Sequence, residues 1–171
     1  MKRSLKIVAI VGLFLGGSTV ALSLFGHKSV HAELVIPATP DMIWSVLTDT
    51  ANYPEWNPVF VQVVGEHREG AKLTYQMKDQ TGKTTEVVAT VVKLDPEREL
   101  NQFGGIRGVL TFDHHWRLEA VDGGTKVTQH EDYRGIGVWF WDPSWFETAY
   151  ANANTALRER VATLAGTTKT R

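Results

Sequence analysis

An α+β fold, in which a curved antiparallel sheet of about seven strands wraps around a long C-terminal helix, is predicted by three features of this 171-residue chain. Between residues 59 and 133, alternating β-branched runs are separated by turn residues at close intervals, the pattern of an antiparallel meander. Residues 142–164 carry an amphipathic helical stripe roughly 33 Å long, and a sheet that buries one face needs such cover. The composition suits one globular core: 43% of residues are hydrophobic, 22% are charged, and there is no cysteine to staple a smaller scaffold.

The chain opens with Lys2, Arg3 and Lys6, followed by 19 uncharged residues, Ile7 to Phe25, and then His27-Lys28. A helix of that length just crosses a hydrocarbon core of about 30 Å. Two readings stand: a retained anchor, or a secretory signal cut after Ala32, where Val30-His31-Ala32 offers a small-residue site. Length favours the anchor, because signal h-regions run about 7–15 residues, and the cut would sever the first strand. Residues 1–28 are then a transmembrane helix and residues 29–171 the domain. The basic residues before the span put the N-terminus in the cytoplasm and the domain outside; cleavage would instead leave a secreted domain. Gly12 and Gly16 form a GxxxG that either pairs helices or is a small-residue spacer.

Ser29 to Pro37 alternates as a strand, and Thr39 is placed to cap a helix that starts with Pro40 and runs to Asp49. Pro54 and Pro58 limit the next segment to a short helix or turn. The strands expected are Val59 to Gly65, Ala71 to Met77, Thr84 to Leu94, Glu99 to Phe103, Val109 to Ala120 and Thr125 to Tyr133. Gly104 to Gly108 is one of the breaks between them. In the last helix Asp142 caps, Pro143 leads, and Phe146, Ala149, Tyr150, Ala153, Leu157, Val161 and Leu164 form one stripe closed by Gly166.

The order of these elements, with the stretch Val35 to Asp49 and Tyr53-Pro54-Glu55-Trp56-Asn57-Pro58, resembles the SRPBCC superfamily. This is the START-like group with the helix-grip fold, which includes polyketide cyclase/dehydrase and lipid-transport proteins. His114-His115-Trp116-Arg117-Leu118 before a Gly-Gly turn agrees, as do Phe146-Glu147 and Asn154-Thr155-Ala156-Leu157 in the last helix. The match covers about residues 29–165. Its motifs are caps, turns and packing positions, so the resemblance implies a deep apolar cavity between sheet and helix and no particular reaction.

Formal net charge is −1, but residues 29–171 hold 14 bases against 19 acids, a balance of −5 that argues against nucleic acid as a partner. Strand alternation turns His114, Trp116 and Leu118 to one face with Val127, Gln129 and Glu131, leaving His115, Arg117, His130 and Asp132 outside. His114 and Glu131 are therefore either an acid/base pair or two polar groups that orient a ligand. A carboxylate beside the imidazole would raise the histidine's pKa. Trp139, Trp141, Trp145 and Tyr150 crowd before and into the last helix, as a hydrophobic entrance or a bilayer contact requires; ordinary aromatic packing is the plainer alternative. Trp56, Asn57, Tyr75 and Gln102 fall near one wall.

No metal or cofactor is expected: His114 and His115 diverge, and no third ligand has the usual spacing. The Gly104, Gly105 and Gly108 cluster lacks the helix of a phosphate loop, and there is no Gly-x-Ser-x-Gly elbow. Three classes of function follow. The first is a membrane-anchored binding protein for a lipid-like, isoprenoid or aromatic molecule, with His114, Gln129 and Glu131 orienting it. The second is a cyclase/dehydrase-like enzyme using His114 and Glu131, and the third is a protein-interaction module at the membrane.

Overall fold

The computed structural model describes residues 26–168. The expected span at 7–25, with Gly12 and Gly16, lies outside the described residues, among which no helix is long and apolar enough to cross a membrane. Seven strands form the sheet: β1 (His27–Ile36), β2 (Phe60–Val64), β3 (Lys72–Lys78), β4 (Thr84–Asp95), β5 (Glu99–Ile106), β6 (Leu110–Val121) and β7 (Gly124–Arg134). Their order is β1-β7-β6-β5-β4-β3-β2, and each neighbouring pair is antiparallel. Strands β2 to β7 are the expected meander, and β1 closes it by pairing with β7 over its whole length, from His27↔Arg134 to Ile36↔Thr125. Register shifts at Phe60/Gln62 and Val91/Lys93 add bends to the sheet, which curls around helix α3 (Ser144–Thr168).

Between β1 and β2 lie α1 (Pro40–Thr48), one turn of 3-10 helix (Thr50–Asn52) and α2 (Tyr53–Trp56). Thr39 occupies the N-cap of α1, but its side chain makes no cap bond. Its carbonyl oxygen receives the Ile43 N–H instead, at 3.3 Å. Helix α3 starts at Ser144, one residue after the Pro143 start expected, and the Asp142 carboxylate accepts from the Ser144 N–H and hydroxyl, both at 3.0 Å, as a cap does. Gly166 does not end the helix, which continues through Thr168.

Gly104 and Gly105 correct the expected break at 104–108. Both are part of β5, and the turn narrows to Arg107-Gly108-Val109. A Cβ on Gly104 would overlap the Phe112 ring and the Val88 carbonyl, and Gly105 has φ +90°. These glycines permit close approach within the sheet, a role that strand alternation cannot distinguish from a turn signal.

The concave face is packed unevenly. Leu47, Leu100, Trp116, Leu118, Val127, Leu157 and Val161 fill one end beneath α1 and the C-terminal half of α3. At the other end Val30, Tyr133, Val138, Phe146 and Tyr150 form a second, aromatic cluster. Leu164, expected on the buried stripe, is 40% exposed.

Candidate functional site

Beside the aromatic cluster, sheet and helix leave a hollow of about 320 Å³. Its walls are mostly apolar: Phe60, Met77, Val87, Ala89, Leu110 and Phe112 from the sheet, facing Trp141, Trp145, Phe146 and Tyr150. That volume is near the lower end of the roughly 300–1,000 Å³ typical of small-molecule pockets. The mouth segment is fixed to β1 by the Lys28 ammonium, which donates to the Trp141 carbonyl at 2.6 Å. The rings form a contiguous set: Tyr133 and Trp141 have centroids 4.5 Å apart, Trp141 and Phe146 5.6 Å, and Phe146 and Tyr150 5.7 Å.

Polar groups are few and tightly held. His114 and Glu131 are cross-strand partners on β6 and β7, both facing the hollow and both buried, at 4% and 5% exposure. Glu131 Oε2 accepts from the hydroxyls of Tyr133 and Tyr150, so one carboxyl oxygen takes two donors from β7 and α3. Burial raises the carboxyl pKa to about 7 although both phenols favour the charged form.

The expectation for His114 is corrected. It bonds Gln129, not Glu131, and burial lowers its pKa to about 4. Desolvation of the imidazolium outweighs the neighbouring carboxyl, which is itself largely protonated in the acid range where the histidine would charge. Gln129 also fixes the tautomer. Its amide nitrogen donates to Asn154 Oδ1 at 2.8 Å and to the Tyr150 carbonyl at 3.3 Å, which turns Oε1 toward His114. His114 Nε2 therefore donates to that oxygen at 3.3 Å, and Nδ1 is left as an acceptor. On the opposite wall the Tyr75 hydroxyl accepts from the Gln102 amide and lies 3.2 Å from His67 Nε2.

Of the residues singled out from the sequence, Tyr75, Gln102, His114, Glu131, Trp141, Trp145 and Tyr150 line the hollow. Five others do not. Trp116 belongs to the solid end of the core, and Gln129 sits behind His114 as its hydrogen-bond partner. Trp56 packs on Tyr53, centroids 5.1 Å apart. Asn57 Oδ1 accepts from the backbone N–H groups of Val59 and Phe60, both at 2.9 Å, and so shapes the start of β2. Trp139 is 54% exposed, outside the cavity wall. Phe60, Met77, Val87 and Phe112 were not anticipated; alternation gives their faces, but only sheet curvature tells a hollow end from a packed one. Among the described residues, no three His, Asp or Glu side chains are grouped to hold a metal ion.

Comparison with known proteins agrees with this architecture. A protein from Rhodobacter sphaeroides is similar at TM-score 0.67 and 21% identity, over 80% of this chain and 93% of its own. The Zhui aromatase/cyclase from Streptomyces sp. R1128 is similar at TM-score 0.63 and 18% identity, over 80% and 94%. A protein from Thermus thermophilus gives 0.66 and 18%, over 80% and 99%. At these identities the likeness is one of fold. No curated protein matches the chain. The family model described as polyketide cyclase/dehydrase and lipid transport matches residues 27–162, so the chain belongs to that SRPBCC-type family, as the motifs around Pro40 and Trp56 lead one to expect.

Proposed function

We propose that this chain is a membrane-tethered binding protein whose domain holds a hydrophobic small molecule between its sheet and α3. The observation that carries the reading is the hollow itself: about 320 Å³ of space walled by aromatic and aliphatic side chains, beside a cluster of buried residues at the other end of the sheet. At about 25 cal/mol per Å², a ligand burying roughly 250 Å² of apolar surface gains about 6 kcal/mol before ordering costs.

Tethering through residues 7–25 is supported by where the chain enters the domain. Gly26 O accepts from Gly135 N–H at 3.1 Å, beside the exposed Trp139 and Phe140. Ile106, the last residue of β5, and Val109, on the β5–β6 turn, are also exposed, and Val109 O accepts from Gly137 N–H at 2.7 Å. An aromatic and aliphatic edge next to the end of an apolar span suits an interfacial contact. Retention of the span is supported by β1, because a cut after Ala32 would remove six of its ten residues paired with β7. The basic residues Lys2, Arg3 and Lys6 before the span support an extracytoplasmic domain.

Native mass spectrometry of the full chain, purified in detergent, tests this reading. A copurifying apolar molecule is expected, and it should be lost in Ala89→Phe, which fills the cavity wall. An empty protein that binds no apolar probe overturns the reading, and an intact mass beginning at Glu33 overturns the tether. One observation favours a second reading: Glu131 titrates near neutrality inside the cavity, as a general acid/base requires. Chemical alteration of the bound molecule, abolished in Glu131→Gln while binding persists, would identify a cyclase/dehydrase-type enzyme.

A further inference from the structure

Resting on the reading that the hollow is a ligand site, we propose that its ligand is a lipophilic amine whose ammonium sits in the hollow against Glu131, beside the rings of Tyr133, Trp141 and Phe146. Three features of the cavity converge on this chemistry.

The first is charge. The ionisable groups on the wall are Asp79, His114, Glu131 and tyrosines, and neither Lys nor Arg is among them. Burial keeps His114 neutral at physiological pH and holds the phenols of Tyr133 and Tyr150 uncharged. Asp113, beside His114 on β6, adds further negative potential at Glu131. A fatty acid or any other carboxylate would thus meet negative charge without a counterion, whereas an ammonium would supply the one that Glu131 lacks among the described residues.

Hydrogen-bond polarity is the second. Both phenols spend their hydrogens on Glu131 Oε2, and no described group bonds Oε1. His114 keeps Nδ1 as an acceptor, and Gln102 gives one of its two amide hydrogens to Tyr75, keeping the other and its carbonyl oxygen. The wall also carries donors, the second Gln102 N–H, the Thr85 hydroxyl and the Trp141 and Trp145 indole N–H groups, but the cross-strand pair of His114 and ionised Glu131 offers only acceptors. A ligand that matches them must donate, and an ammonium has three donors and no acceptor.

Ring geometry is the third. Tyr133, Trp141 and Phe146 pack on one another with centroid distances of 4.5, 5.6 and 5.8 Å on the cavity wall, and the Tyr133 hydroxyl bonds Glu131. Ring faces attract cations, and more strongly where water is excluded.

A matched probe series tests the proposal on the full chain in phosphatidylcholine nanodiscs, with empty nanodiscs as reference: 2-(2-naphthyl)ethylamine, 2-(2-naphthyl)ethanol and 2-naphthylacetate, titrated calorimetrically at pH 7.5. The amine should bind at least about tenfold tighter than the alcohol, and the carboxylate at least about tenfold weaker. In Glu131→Gln the amine's advantage over the alcohol should vanish. Carboxylate binding equal to or tighter than the amine overturns the proposal, as does an amine preference that survives Glu131→Gln. Alcohol binding without amine preference overturns this proposal alone. Failure of all three probes overturns the ligand-binding reading with it. The wild-type series decides the charge preference even if the variant does not fold.

Discussion

Glu131→Gln removes an ionisation that the folded domain opposes, and its effect on stability should depend on pH in a defined way. The carboxyl moves from an ordinary 4.5 to about 7, driven by burial. Each pH unit of separation is worth about 1.4 kcal/mol, so ionising Glu131 in the folded chain costs about 3 kcal/mol. Because the folded pKa is raised, this contribution is fully present below pH 4.5 and lost as pH rises through 7. His114 works the other way, with burial lowering it from 6.5 to about 4. Its contribution is present above pH 6.5 and lost as pH falls through 4. Between pH 4.5 and 6.5 the two slopes nearly cancel in the wild type. Glu131→Gln unmasks the histidine, so stability should rise by about 3 kcal/mol from pH 4 to 6.5 relative to the wild-type trend. Urea unfolding of the full chain in mild detergent, followed by tryptophan fluorescence at several pH values, measures this. Parallel pH profiles for variant and wild type would refute the claim that Glu131 is buried and shifted upward.

Asn154→Ala should destabilise by about 1–3 kcal/mol in the same assay, because it strips the buried Gln129 amide of its 2.8 Å acceptor; a neutral effect would show that the His114–Gln129–Asn154 chain is not held as described. Gly104→Ala should lower stability by about 1–3 kcal/mol, since the new methyl meets the Phe112 ring and the Val88 carbonyl; an unchanged melting temperature would argue against that close approach. In nanodiscs of brominated phosphatidylcholine, tryptophan emission should be quenched and Trp139→Phe should remove much of the quenched signal. Equal quenching in wild type and variant would contradict seating of the Trp139–Phe140 edge on lipid.

Much of the architecture is legible in residue order, and the reasons are local. Proline at position 40, the glycine and aspartate turns, and two-residue alternation act over a few neighbours, so strand and helix positions emerge within a residue or two, except at the ends of β5 and α3, which run on to Ile106 and Thr168. Alternation also determined that His114, Trp116, Gln129 and Glu131 share the concave face. It could not determine which of these meet empty space. Trp116 and Gln129 point inward as His114 does, yet the first fills the core and the second braces the histidine. That choice depends on where the curled sheet diverges from α3, a distance set jointly by strand pairing, bulges and a helix far along the chain. Protonation was likewise a matter of tertiary structure: adjacency suggested a charged His114, but burial reversed the expectation. Sequence alone thus determined which side chains face inward, because that depends on local period. Only the folded chain decided which of them surround a cavity and carry a proton, because void space and desolvation belong to residues distant in the chain.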